Sequence, residues 1–142
     1  MLYFDTSFLV SLFLQEQTST RIELVFADLP GHQVAISHWT RLEFASLLAR
    51  AVQMGGLAAT AAHKVDVEVE SVATASFLIL LPGVDDFGLA QQFLARRRLG
   101  LRASDALHLG IAHKRGSERI YSLDNTPLKA GRSLGLPMTL GL

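Results

Sequence analysis

Short runs rich in apolar residues alternate with longer amphipathic segments along this chain. Runs of this length, bounded by polar or turn-forming residues, are typical of buried strands. We expect the third run, FLILL, to be a buried strand that stops at Pro82-Gly83. The predicted strands are MLYF (1–4), QVAIS (33–37), FLILL (77–81), RIYSL (119–123) and LPMTL (136–140).

The segments between these runs are predicted as helices, and glycine or proline ends several of them. PGH (30–32) breaks the second helix, Gly55-Gly56 ends the third, and Gly116 closes the helix before RIYSL. The predicted helices are SFLVSLFL (7–14), TSTRIELVFADL (18–29), HWTRLEFASLLARAVQMGG (38–56), DDFGLAQQFLARRR (85–98), ASDALHLGIAHKRG (103–116) and NTPLKAGRSLG (125–135).

One segment, KVDVEVESV (64–72), fits two patterns. Its strict alternation of apolar and polar residues is typical of a strand. Three of its valines, Val65, Val69 and Val72, also fall on one helical stripe with Ala58 and Ala61, and the alanine-rich lead-in favours helix. We predict a helix here.

Strands that alternate with helices predict an α/β fold, with a parallel sheet covered by helices on both faces. The 142 residues contain no internal repeat and no linker, so a single domain spanning residues 1–142 is expected. Hydrophobic residues make up 49% of the chain and charged residues 18%. An apolar composition of this kind indicates a folded protein with some surface for a partner.

The composition also excludes several classes of protein. With no cysteine, disulfide frameworks and thiolate metal sites are excluded. No basic segment precedes the first apolar run, and FLVSLFL is far shorter than the ~20 residues of a membrane span, so a cytoplasmic protein without membrane contact is expected. A formal net charge of zero argues against nucleic-acid binding by bulk charge, but leaves a local basic patch with metal ions possible in principle.

Four carboxylates stand at positions where apolar residues surround them. Asp5 and Asp124 each follow a predicted strand, and the carboxyl ends of parallel strands share the edge of a sheet where ligands bind. Asp105 lies in the first turn of a helix that starts at the same edge. Glu43 lies on a largely apolar stripe of the helix that begins near His38.

Each carboxylate taken alone also has a simple structural interpretation. Asp5 could cap the following helix, Asp105 could match a helix dipole, and Asp124 could form a turn and cap. Glu43 could pair with Arg50. Their convergence favours a shared cleft, in which the carboxylates would repel one another and raise each other's pKa values. A divalent cation relieves that repulsion, and an all-oxygen site selects Mg²⁺ or Mn²⁺.

The ordered set of motifs resembles the PIN-domain ribonucleases, and above all the toxins of VapBC-type toxin–antitoxin pairs. The resemblance covers essentially the whole chain and implies a PIN-like three-layer sandwich, with a central parallel sheet of about four to five short strands flanked by helices. It departs from the family pattern at Gly110, where the family often has alanine. The motifs are YFDTS (3–7), TRLEFASLL (40–48), RASDALHLGIA (102–112) and YSLD (121–124).

The resemblance implies an endoribonuclease that depends on Mg²⁺ or Mn²⁺ and attacks RNA phosphodiesters with water, leaving 5′-phosphate and 3′-hydroxyl ends. Thr6 and Ser122 match the hydroxyl positions beside the first and last acids, and are expected to hydrogen-bond and orient those carboxylates. A rival mechanism through a histidine pair has poor support, because the five histidines are scattered. The implied catalytic and metal-binding residues are Asp5, Glu43, Asp105 and Asp124.

Three further features have more than one interpretation. The basic run before Asp105 could guide RNA phosphates, match a helix dipole or contact an antitoxin. His108 is predicted to be structural, with contact to substrate or to a site residue as the alternative, and Trp39 to be core or interface rather than a base-stacking residue. The basic run comprises Arg96, Arg97, Arg98 and Arg102.

The resemblance also implies partners. The first two helices carry more apolar residues than a small domain needs to bury, which is typical of interaction surfaces. A homodimer, a cognate antitoxin protein held between the early helices, and an RNA substrate are expected. A housekeeping RNA-processing nuclease and an inert PIN-fold binding module remain alternatives, whereas a phosphatase with Asp5 as nucleophile is discounted because Ser7 replaces the second aspartate that such enzymes need.

Overall fold

The fold is built on a five-stranded, wholly parallel sheet. The computed structural model describes residues 1–14, 19–29 and 33–141, and the predicted break at PGH lies outside these residues. The strands run in the order β3-β2-β1-β4-β5. Their bounds are Leu2–Phe4 (β1), Val34–Ser37 (β2), Leu78–Leu80 (β3), Arg119–Tyr121 (β4) and Met138–Thr139 (β5).

The first strand occupies the centre of the sheet. Tyr3 of β1 is in register with Ala35 of β2 on one side and with Ile120 of β4 on the other. The chain therefore proceeds outward in one direction from β1 to β3 and later resumes on the opposite side with β4. Such a reversal of strand order opens a crevice at the carboxyl ends of the two strands where it occurs.

Seven α-helices are described, and the doubtful segment at 64–72 is confirmed as helical. None of the described helices is long and apolar enough to span a membrane. Their bounds are Thr6–Phe13 (α1), Ser19–Ala27 (α2), His38–Gln53 (α3), Ala59–Ser76 (α4), Val84–Ala95 (α5), Ala103–Lys114 (α6) and Asn125–Ser133 (α7).

Two hydrophobic cores cover the two faces of the sheet, as the three-layer prediction requires. Along β1, Leu2 and Phe4 point into the first core and Tyr3 into the second, because neighbouring strand residues face opposite sides. Helices α1 to α4 supply the first core, with Phe8 among its fully buried residues. Helices α5 and α6 supply most of the second. The α/β three-layer prediction is confirmed.

Two predictions about local structure were wrong. The FLILL strand is not buried but forms an edge of the sheet, where Leu78 is 37% exposed and the following Leu81 is 73% exposed. The helix predicted to run to residue 98 ends at Ala95 and is followed by a short 3₁₀ turn at Arg97–Leu99. Gly100 then adopts a left-handed conformation with a φ of 67°, which ends the turn.

The apolar side chains of the early helices differ in exposure. Val10, Leu12 and Phe13 of α1 are half-buried and pack against the first core. On α2, Leu24 is 60% exposed. That these helices form an interaction surface stays a prediction.

Helices α5 and α6 approach each other closely at Gly110. A Cβ atom added to Gly110 would lie 2.9 Å from the carbonyl oxygen of Asp86 and 3.5 Å from the backbone nitrogen of Ala90. The same pair of helices is joined by a partly buried ion pair, in which the Arg115 guanidinium donates to both oxygens of the buried Asp86 at 2.6 and 3.0 Å. The departure from alanine at Gly110 is therefore explained by the narrow gap between these helices.

We predict that Gly110→Ala destabilises the protein by about 1–2 kcal/mol, because the clash with a backbone carbonyl outweighs the higher helix propensity of alanine. Gly88→Ala on α5 is the matched control, since a Cβ there meets no atom within 4 Å. It should be neutral or stabilise by up to about 1 kcal/mol. Urea unfolding of both variants checks this, and equal effects at the two positions would contradict the packing explanation.

Candidate active site

A cavity of about 680 Å³ lies at the crevice between the carboxyl ends of β1 and β4. Three of the four predicted acids line it: Glu43 from α3, Asp105 from α6 and Asp124 from the loop after β4. The fourth, Asp5, is 6% exposed and directly precedes Thr6 and Ser7, which also line the cavity. The structure thus brings together four acids that lie far apart in the sequence.

Asp5 ends β1 and caps helix α1. Its Oδ1 accepts hydrogen bonds from the backbone N–H of Ser7 at 2.9 Å and from the Ser7 hydroxyl. Burial raises the pKa of the Asp5 carboxyl, and the nearby charge of Asp124 raises it further. A charged His108 and the hydroxyls of Ser122 and Ser7 lower this pKa without cancelling the effect of burial. The capping interpretation is therefore correct, yet capping leaves a buried carboxylate without full compensation.

Glu43 is held by three protein donors. Its Oε1 accepts from the Thr6 hydroxyl at 2.7 Å and lies 2.5 Å from Nε2 of His108, while Oε2 accepts from the Ser104 hydroxyl. Burial alone would raise the pKa of Glu43, but the hydrogen bond and charge of His108, with the two hydroxyls, hold it below the usual value. The expectation that all four acids raise each other's pKa values is wrong for Glu43.

The predicted hydroxyls are present at the site, but one of them has a different partner. Thr6 was expected to orient Asp5 and instead donates to Glu43. Ser122 is fully buried, hydrogen-bonds to Asp5, and accepts from the backbone N–H of Asp124 at 3.2 Å. Thr6 therefore orients an acid on another helix rather than its sequence neighbour.

His108 connects Glu43 to the centre of the sheet. It is 5% exposed, and its Nδ1 lies 2.7 Å from the oxygen of the Tyr3 hydroxyl. The same hydroxyl lies 3.1 Å from the hydroxyl of Ser37. Because Glu43 can only accept, Nε2 of His108 carries the proton in that pair. Burial raises the pKa of the Tyr3 hydroxyl. The structural interpretation of His108 and its contact with a site residue are thus both correct.

Asp105 and Asp124 face the cavity with fewer hydrogen bonds. Asp105 accepts a long bond of 3.4 Å from the backbone N–H of Arg102. Burial raises the pKa of Asp105, as do the charges of Asp124 and Glu43. Asp124 occupies the N-cap position of α7, but its side chain makes no capping hydrogen bond and is exposed. Helix α7 begins directly after Asp124, so the prediction of a turn with a side-chain cap at this position was wrong.

The acids around the cavity offer oxygen atoms, which are the ligands that hard cations prefer. Around the cavity the acids present only oxygen, and for Asp5 and Asp105 a raised pKa reports negative charge that the protein does not offset. In the positions they occupy, no three carboxylates or imidazoles of the described residues are grouped closely enough to hold an ion. The acids therefore surround the cavity, and their metal-binding role stays a prediction.

The arginines of the predicted basic run lie in two places. Arg102 lines the cavity, whereas Arg96, Arg97 and Arg98 are exposed at the 3₁₀ turn and are not among its lining residues. Arg50 also lines the cavity. Sequence reasoning missed it as a site residue and considered it only as an alternative ion-pair partner for Glu43. The available signal was the spacing of seven residues, which places Arg50 and Glu43 on one face of α3.

Trp39 packs into the structure rather than facing the cavity. It is half-buried and packs against the second core. Its indole nitrogen is buried and has no hydrogen-bond partner among the described residues. The prediction of a core position is confirmed.

Comparison with known proteins identifies a family. The model of the PIN domain matches residues 2–132. No curated protein sequence matches the chain.

Solved structures share the fold at low sequence identity. The structure of VapC20 from Mycobacterium tuberculosis, a toxin that cleaves the sarcin–ricin loop, has a TM-score of 0.75 and 20% identity over 92% of this chain and 95% of that one. FitAcB from Neisseria gonorrhoeae has a TM-score of 0.70 and 17% identity, covering 99% and 98%. VapBC-1 from nontypeable Haemophilus influenzae has a TM-score of 0.69 and 14% identity, covering 98% and 97%. At these identities the likeness concerns the fold.

Asp5→Asn is predicted to stabilise the metal-free protein. The pKa of Asp5 is higher in the folded state than its unfolded value of about 3.9, so stability falls as the pH rises through the interval between them. The penalty is fully present above the folded-state pKa, where removing the charge should raise the melting temperature by about 3–5 °C. The gain should shrink as the pH approaches the unfolded-state value, which melting curves across the pH range will show.

Asp86→Asn serves as the control, because it should change the stability of the protein in the opposite direction. Burial alone would raise the pKa of Asp86, but the Arg115 guanidinium and the Gly83 N–H hold it below its usual value. Its charge therefore stabilises the fold above the unfolded-state pKa, and the variant should lose about 2–3 kcal/mol at pH 7. A loss of stability in both variants would contradict the assignment of uncompensated charge to Asp5.

Replacing His108 is predicted to destabilise the fold through its hydrogen bonds. His108→Leu leaves the Tyr3 hydroxyl and the Glu43 carboxylate each without one partner, at a cost of about 2–3 kcal/mol. His108→Gln can restore part of both bonds and should lose less. The exposed His113→Leu on the same helix should change stability by no more than about 0.5 kcal/mol. Equal losses for His108→Leu and His108→Gln in urea unfolding would indicate a packing effect instead.

Proposed function

The chain belongs to the PIN-domain family, and on that premise we propose that it is a metal-dependent endoribonuclease that hydrolyses RNA phosphodiesters. We further propose that it acts as the toxin of a type II toxin–antitoxin pair. One observation supports the activity above all others. Glu43, Asp105 and Asp124 line a single cavity, and the buried Asp5 directly precedes two further lining residues. The cavity lies at the point where the strand order reverses, which is where ligands bind in open α/β sheets.

The residues that would hold Mg²⁺ or Mn²⁺ are Asp5, Glu43, Asp105 and Asp124. Their oxygen donors fit such ions, and the raised pKa values of Asp5 and Asp105 indicate that a cation would lower the free energy of the folded site. When bound, the ion supplies an activated water and neutralises charge on the phosphate.

The chain's own residues prepare this chemistry in two ways. Thr6, Ser104 and His108 fix the orientation of Glu43 and keep it ionised. Ser7 and Ser122 orient the Asp5 carboxylate through hydrogen bonds, although its pKa stays raised. Oriented acceptors reduce the reorganisation needed when substrate arrives.

Attack by water is favoured over the histidine-pair mechanism. Among the described residues, no histidine lines the cavity, and His108 is buried with both ring nitrogens bonded to protein groups. A general base for a 2′-hydroxyl must reach that group directly or through one water. We therefore expect 5′-phosphate and 3′-hydroxyl ends.

The proposed partners are a cognate antitoxin protein and a second copy of the chain. Solved structures of similar fold include toxin–antitoxin complexes. In this chain, apolar side chains of Val10, Leu47 and Leu123 form part of the cavity wall beside the acids. A protein segment that covered this wall would also block access of RNA to the acids, which is the behaviour expected of an antitoxin.

The activity is tested by incubating the purified protein with structured and unstructured RNAs. Cleavage is expected with Mg²⁺ or Mn²⁺ and not with EDTA, and Asp5→Asn should reduce the rate to below about 1% of wild type. Asp85→Asn is the matched control, because this aspartate side chain is 82% exposed and pairs with Lys114 at 3.5 Å on another surface. Mapping of the product ends should show 5′-phosphates.

Three outcomes would change the proposal. Cleavage that survives both EDTA and Asp5→Asn would contradict the acid site. A folded protein that cuts no RNA would favour the inert binding module. Growth that continues normally when an active wild-type protein is induced in cells would favour the housekeeping nuclease over the toxin, with Asp5→Asn as the reference.

A further inference from the structure

The cavity that holds the acids continues beyond them. A second cavity of about 450 Å³ adjoins the first, and the two share Arg102, Asp105 and Asp124 among their lining residues. The acids therefore stand within a continuous groove rather than at the bottom of a closed pocket. We name this feature the acid groove and define it by the residues that line the two cavities.

The two arms of the acid groove differ in chemistry. The first arm extends along α3 from Glu43 past Leu47 to Arg50, which lies two helical turns or about 10 Å further along the axis. The second arm is lined by Gly100, Asn125 and Thr126, beyond Arg102. Cationic and polar groups thus flank the acids on both sides.

Arg50 and Arg102 form no ion pair with a described carboxylate, in contrast to two other arginines of the chain. Arg41 pairs with Glu70, and Arg115 pairs with Asp86. No carboxylate among the described residues lies within 4.0 Å of the guanidinium of Arg50 or of Arg102. Both guanidinium groups are exposed at the groove.

Arg50 lies in the last turn of α3, where the helix dipole favours a positive charge, and this alone could explain an arginine at that position. That explanation does not account for its place in the groove wall. A strand of RNA must approach four carboxylates, and the repulsion between phosphate and carboxylate has to be offset by cations nearby. Guanidinium groups suit this role because their forked donors match phosphate oxygens.

We propose that the acid groove binds one RNA strand that continues on both sides of the acids. Arg50 contacts a backbone phosphate in the first arm, and Arg102 contacts the phosphate next to the acids. This inference rests on the proposed function and adds to it, because it defines where the strand lies. It follows that the strand is cut internally and that contacts to phosphate hold it in register without reading sequence.

Binding measurements in the Asp5→Asn background test the groove, because that background is expected to bind RNA without cutting it. We would measure the dissociation constant of a fluorescent single-stranded RNA with Mg²⁺ present, at several salt concentrations. Arg50→Ala and Arg102→Ala should each weaken binding about 5- to 10-fold at low salt. Each should also reduce the slope of log K against log salt by about 0.7. Arg50→Lys should recover part of the loss.

Arg119→Ala is the matched control, since this exposed arginine begins β4 at the opposite end of the strand from the acids. It should leave affinity and salt slope unchanged. Circular dichroism of each variant, all at exposed positions, verifies folding. Arg97→Ala tests the neighbouring basic turn, and a loss confined to that variant would overturn the proposal by moving the RNA out of the groove.

Other results overturn the inference in distinguishable ways. If Arg50→Ala binds as tightly as its parent while the wild-type protein cleaves RNA, the groove is wrong and the proposed function stands. If all variants including Arg119→Ala weaken binding equally, bulk charge is responsible. If the folded wild-type protein neither binds nor cleaves RNA, the proposed function fails together with the groove.

Discussion

The buried imidazole of His108 connects the parts of the fold that form the site. From α6 it reaches the Tyr3 hydroxyl on the central strand and the Glu43 carboxylate on α3, with the Thr6 hydroxyl of α1 at 3.2 Å. Hydrogen bonds are stronger in such a buried setting, and a missing partner is correspondingly costly. The separation of α3 and α6 across the cavity is therefore held by His108, together with the Ser104 hydroxyl that also donates to Glu43. The close approach of α5 and α6 at Gly110 fixes α6 in turn.

Two buried aspartates differ in how far neighbouring groups compensate their negative charge. Asp86 is 1% exposed and meets both donors of Arg115, so its charge is matched and joins two helices. Asp5 is almost as buried, but it receives only hydroxyl and backbone donors from Ser7 and Ser122. The pKa of Asp86 is lowered and that of Asp5 is raised. Because the protein can evidently neutralise a buried aspartate, the uncompensated charge of Asp5 indicates a role outside folding.

The sequence predicted the elements well because each has a local signal. Short apolar runs, helical stripes and terminal glycines determine the strands and helices, and two strand-ending aspartates located the edge where the acids meet. The errors concern information that is not local. The exposure of Leu78 depends on the strand order, which places β3 at an edge. The lowered pKa of Glu43 depends on His108, which lies 65 residues away in the chain.

Most groups that hydrogen-bond to the acids are neutral hydroxyls rather than cations, and this affects the electrostatic potential of the cavity. Hydroxyls of Thr6, Ser7 and Ser104 orient carboxylates without cancelling their charge, so the cavity keeps a negative potential of the kind that the proposed metal ion would need. A guanidinium in direct contact would remove that potential, as Arg115 does for Asp86. The arginines at the cavity make no such pair with a described carboxylate. Their charge therefore stays available to a polyanion, and the same cavity can attract a cation and a phosphate chain at neighbouring positions.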